Sequence, residues 1–173
     1  DYLSFFSIAF IGLSSFAFHT FPNTITGFLD IIAIVTFMLI YTVKIYRQLI
    51  GFNFFYSSLT AIFFVMSCYL FGVSFQNSFI GTSSFYFPIV LHLLFLIIYF
   101  RFLNLTFDCL KYLIFSTLIF SASIILRVID QPICNIFPLG THFLWHILNA
   151  IFLFFLIKFS YLTCNRSSPE EPT

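Results

Sequence analysis

His142 and His146 stand four residues apart, so on an α-helix they project from one face, a single turn from each other. That is the spacing by which a helix offers two imidazoles to one zinc ion. Taken alone, the pair suits equally a zinc half-site and two histidines hydrogen-bonded to neighbouring helices or set at headgroup level. Ser15 and His19 repeat the i, i+4 spacing, and Asp30 follows beyond a turn at Phe21, Pro22 and Asn23. Three imidazoles with a fourth position for water make up the composition of a catalytic zinc site. The competing reading is a metal-free polar cluster, such as one for proton transfer.

These residues stand out because so little else is polar. Of 173 residues, 61% are hydrophobic and 8% are charged, where a soluble domain carries about 25% charged residues. A soluble globular protein is thereby excluded, and the predicted class is an all-α, polytopic transmembrane helix bundle. A formal net charge of +1 leaves no electrostatic footprint for nucleic acid. Within such a chain an ionised side chain at mid-membrane costs about 2.5 to 3.5 kcal/mol, so those that persist are functional or paired.

The elements that must position them are read from apolar runs of roughly 20 residues. Runs broken by Pro, Gly, Asn and the few charges predict six spans, about 2–21, 24–46, 54–74, 84–103, 107–128 and 139–162. They form a single predicted domain, 1–164, followed by a polar tail, 165–173, expected to be disordered. At about 1.5 Å of rise per residue, Ser15, His19, Asp30, His142 and His146 all fall within about 3 to 12 Å of the outer ends of their spans. Three spans thus share one polar layer. Lys44, Arg47, Arg101, Lys111, Lys158 and Arg166 gather on the opposite side, with Arg127 alone on the side of the layer. The positive-inside bias then predicts a cytoplasmic C-terminus and a histidine layer near the external face.

The other polar residues have plainer readings. His92, midway along the fourth span without a partner at helical spacing, is expected to be a satisfied core histidine. Asn149 suits either support of a metal ligand or helix packing. Arg127, Asp130 and Gln131 are expected in a solvated, ion-paired outer turn. Trp145 and the thirty Phe are expected to anchor the interface and to face lipid. Cys68, Cys109, Cys134 and Cys164 lack metal or disulfide spacing and read as apolar fillers or free thiols.

The combination Ser15-x-x-x-His19, Asp30 and His142-x-x-x-His146 resembles the superfamily of seven-helix transmembrane hydrolases that includes alkaline ceramidases, GPI-anchor remodelling proteins and adiponectin-receptor-like proteins. It looks most like the alkaline ceramidase branch with its bacterial members. The resemblance runs through the stretch from Gly12 to His19, through Leu29-Asp30, and through the stretch from Gly140 to Ala150. It implies a zinc-dependent amidase that cleaves ceramide or a ceramide-like membrane lipid into a fatty acid and a sphingoid base. His19, His142 and His146 would hold Zn²⁺, Asp30 would carry the proton, and Ser15 would donate a hydrogen bond to the oxyanion. The resemblance also implies seven helices in a bacterial inner membrane. The chain is then expected to be a fragment without the first helix, the one that in ceramidases carries a Ca²⁺-binding acidic segment. The stretch from Arg127 to Asp130 departs from the Trp-containing segment of eukaryotic ceramidases. Two other readings stand beside the amidase: a lipid ester hydrolase of the same superfamily, and a lipid-binding or receptor-like protein with a structural zinc. A transporter or proton relay, the last option, lacks its usual paired mid-membrane acids and broken-helix repeats.

Overall fold

A computed structural model of the protein describes residues 2–134 and 136–167, with side chains up to Thr163. The fold is all-helical, with no strand among the described residues. In order come α1 (Tyr2–Thr20), α2 (Thr24–Gln48), α3 (Phe54–Phe75), a short 3₁₀ helix (Gly81–Tyr86), α4 (Phe87–Phe102), α5 (Phe107–Ile133) and α6 (His142–Ser167). Among the described residues six helices are long and apolar enough to cross a membrane, the fourth of these counted from Gly81 to Phe102. The protein is an integral multi-pass membrane protein with the helical-bundle architecture that its composition predicts.

By their internal contacts the helices group into two compact units, one through Val65 and one from Met66 to Arg166. The first is built on the antiparallel pair α1 and α2. The turn between them is closed by Asn23, whose side-chain oxygen accepts the backbone N–H groups of Ile25 and Thr26 at 2.9 and 3.0 Å. Thr26 returns a hydroxyl acceptor to the Asn23 N–H at 3.1 Å, completing a capping box at the start of α2. The two helices approach closely where Gly27 meets Phe18, since a Cβ on Gly27 would lie 3.2 Å from that ring.

Burial in α1 runs opposite to that of a soluble helix. Ser4, Ser7 and Ser14 are its buried residues, whereas Leu3, Phe6, Leu13 and Phe16 are each about 70% exposed. Lipid solvates Leu and Phe as well as a core does, so small residues are the ones that gain by turning inward and letting helices approach. The serine hydroxyls need no distant partner: Ser7 donates to the Ser4 carbonyl at 2.9 Å and Ser14 to that of Ile11 at 3.1 Å.

The second unit packs the 3₁₀ helix, α4, α5 and α6. Gly72 of α3 lies against the ring of Phe85, where any Cβ would collide. The Ser84 hydroxyl donates to the Gly72 carbonyl at 3.2 Å, tying the 3₁₀ helix to α3. Pro88 sits in the first turn of α4, where its missing N–H costs nothing. Between α5 and α6, Phe120 stacks on Phe152 with ring centroids 4.5 Å apart. One turn further along, the Ser123 hydroxyl donates to Asn149 Oδ1 at 3.0 Å. Asn149 therefore serves helix packing.

Three boundaries differ from those expected. The 3₁₀ helix takes the first residues of the fourth span. α5 continues to Ile133 instead of stopping near 128, because Pro132 lies in its last turn and the Cys134 N–H still reaches the Asp130 carbonyl at 3.2 Å. α6 starts at His142 and runs to Ser167, so it takes in the first residues of the expected tail, while 168–173 lie outside the described residues. Cys68, Cys109 and Cys134 are free, the first two buried.

Candidate metal centre

The two histidines of α6 occupy its first two turns, and how that helix begins decides where they stand. Gly140, just before it, has a φ of +62°, a left-handed conformation that a Cβ disfavours. A Cβ on Gly140 would also collide with the Asp130 carboxylate. The glycine thus serves both the turn and the close approach. Through that gap Asp130 Oδ1 accepts the backbone N–H of Thr141 at 2.6 Å and that of His142 at 2.9 Å. The Thr141 hydroxyl donates to the Leu126 carbonyl at 2.6 Å, so two residues of α5 hold the start of α6. A carboxylate at a helix N-terminus also meets the positive end of the helix dipole.

Asp130 is therefore not in the solvated outer turn that its neighbours in sequence suggested. It lies within α5, its side chain is only 14% exposed, and its second oxygen faces His142 Nδ1 at 3.9 Å. Arg127 is likewise helical. Its guanidinium carbon lies 4.6 Å from the centre of the Trp145 ring and 5.6 Å from that of Tyr86. It makes no ion pair with Asp130 among the described residues.

Trp145 corrects a second expectation. It is a buried residue, not a lipid-facing anchor. Its ring lies 5.2 Å from that of His142 and 4.5 Å from that of His146, and Tyr86 closes in at 5.9 Å. The His142 and His146 rings are 4.8 Å apart and nearly perpendicular. Trp145 thus packs against the histidine pair, and the Arg127 guanidinium lies over its ring. One sequence signal pointed this way: Trp145 sits at i+3 from His142 and beside His146, too close to that pair to be independent of it.

Among the described residues one group of side chains could hold a metal ion: His19, His142 and His146, each with a ring nitrogen to offer and those nitrogens all within 4.8 Å of one another. Zn–N bonds of about 2.1 Å at tetrahedral angles would set ligand nitrogens about 3.4 Å apart. Neutral imidazoles suit Zn²⁺ and related first-row ions, and an ion held by three of them without thiolate would keep its charge uncompensated and its acidity high. Asp30 and Ser15 are not members of that group. Asp30 is half-buried on α2, and Ser15 is half-buried on α1, one turn before the exposed His19. His92 is half-buried in α4, its ring 6.5 Å from that of Phe95, and it too is outside the group. No protein-family model, curated protein or solved structure matches this chain.

Proposed function

We propose that the protein is a zinc-dependent intramembrane lipid amidase acting on ceramide or a ceramide-like lipid. The observation that carries this reading is the group of three imidazoles, His19, His142 and His146, within an otherwise apolar helical chain. Three protein ligands and an open fourth position are the arrangement of catalytic zinc, whereas structural zinc takes four. Bound there, zinc would supply Lewis acidity and a water acidic enough to react near neutral pH. Asp30 would accept the proton of the attacking water and return it to the nitrogen of the substrate amide. The water oxygen then bonds to the carbonyl carbon, the C–N bond breaks, and a fatty acid and a sphingoid amine leave. The Ser15 hydroxyl would donate to the carbonyl oxygen as its negative charge grows.

Amide rather than ester chemistry rests on the resemblance to the alkaline ceramidase branch. The same resemblance suggests a bacterial inner membrane. The distribution of Lys and Arg supports a site near the external face and a cytoplasmic C-terminus.

The test begins with zinc per chain in the detergent-purified protein. One equivalent is expected in the wild type and a loss in both His19→Ala and His142→Ala; full occupancy in both variants would overturn the site. Fatty-acid release from a panel of ceramides should disappear in Asp30→Asn. Zinc binding without hydrolysis of any amide or ester lipid would assign the metal to structure or lipid sensing instead.

A further inference from the structure

We propose that Asp130 is the positioning residue for His142: one carboxylate anchors the start of α6 and presets which ring nitrogen of His142 a metal meets. The inference rests on the metal reading above. Its geometric basis is that the two oxygens of Asp130 have separate duties. Oδ1 accepts the N–H groups of Thr141 and His142, and those two bonds stop the carboxylate from swinging away. Oδ2 is thereby held toward His142 Nδ1, at 3.9 Å, about 1 Å beyond a hydrogen bond. Backbone and ring of one residue are addressed by one side chain.

Among the described residues Asp130 is within ion-pair range of His142 only. Arg127, three residues earlier on the same helix, lies over Trp145 and Tyr86 instead. What faces the carboxylate is the N-terminus of α6 and the His142 ring. That ring also packs against those of Trp145 and His146, with centroids 5.2 and 4.8 Å away. A proton on Nδ1 directed at Oδ2 leaves the lone pair on Nε2, and a carboxylate partner makes an imidazole a more basic ligand.

Asp130→Asn separates the two duties. The amide oxygen still accepts the two backbone N–H groups, but the amide nitrogen cannot accept from Nδ1. Three readouts are taken on the full chain in detergent: melting of the metal-free protein, zinc affinity by chelator competition, and the visible spectrum of the Co²⁺-substituted protein. The expected result is a metal-free melting temperature lowered only slightly, by loss of the charge–dipole attraction at the start of α6, with a 10- to 100-fold loss of zinc affinity and a changed Co²⁺ spectrum. Asp130→Glu, which keeps two acceptor oxygens, should recover part of the lost affinity. Wild-type affinity and spectrum in Asp130→Asn would overturn the proposal and leave Asp130 as a helix cap only. If the wild-type chain binds neither zinc nor cobalt, the metal reading itself fails and takes this inference with it.

Discussion

Substituting alanine for Gly140 should loosen the first turn of α6 by two separable routes. The backbone there has φ +62°, and holding an L-residue with a Cβ in that region costs about 1 to 2 kcal/mol. The new Cβ would also meet Asp130 Oδ1, forcing the carboxylate back from the N–H groups of Thr141 and His142; losing a helix cap costs about 0.5 to 2 kcal/mol. Together these give about 1.5 to 4 kcal/mol. In a chain of this size each kcal/mol lowers the melting temperature by about 2 to 4 °C, so the expected fall is about 3 to 16 °C. The chain contains a single Trp, and Trp145 lies against both α6 histidines. Its fluorescence during thermal melting in detergent therefore reports on this turn directly. Gly140→Asn sorts the two routes, because Asn tolerates a left-handed φ but brings the same Cβ. It should recover only the backbone part. Melting of Gly140→Ala within about 1 °C of wild type would refute the reasoning, since neither cost would then be present.

Two further substitutions test the packing that carries the histidine pair. Asn149→Ala removes the hydrogen bond from Ser123 and should cost about 0.6 to 2 kcal/mol in SDS unfolding, with zinc per chain unchanged; a loss of zinc would return Asn149 to a metal-supporting role. Gly72→Ala drives a methyl group into the Phe85 ring and should cost about 1 to 3 kcal/mol. Adding Phe85→Leu should restore part of that loss, and strictly additive effects in the double-mutant cycle would show that the two residues do not press on each other.

Much of this protein is legible without coordinates because the relevant physics is local. Length and apolar content decide that a segment can cross a membrane, and the six segments follow from runs of about 20 apolar residues. The shared face of His142 and His146 follows from helical repeat alone, as does that of Ser15 and His19. The capping box at Asn23 is similarly local, a few residues reading one another across a turn. Even the inward serines of α1 obey a rule set by the solvent: where lipid is outside, small residues gain most by facing another helix.

What only the tertiary structure decided lies where distant backbone must meet. Asp130, Arg127 and Trp145 look from the sequence like a charged turn and an interface anchor, because charge and a nearby proline usually signal solvent. Pro132, however, falls in the last turn of α5, where the helix can absorb its missing bond, so Arg127 and Asp130 stay helical and half-buried. The left-handed Gly140 then brings the start of α6 under Asp130. Composition and spacing determine that the helices cross a membrane and that a histidine pair shares one helical face. How that pair is held depends on the path of the chain between α5 and α6, because a carboxylate from one helix can cap another only after both have packed.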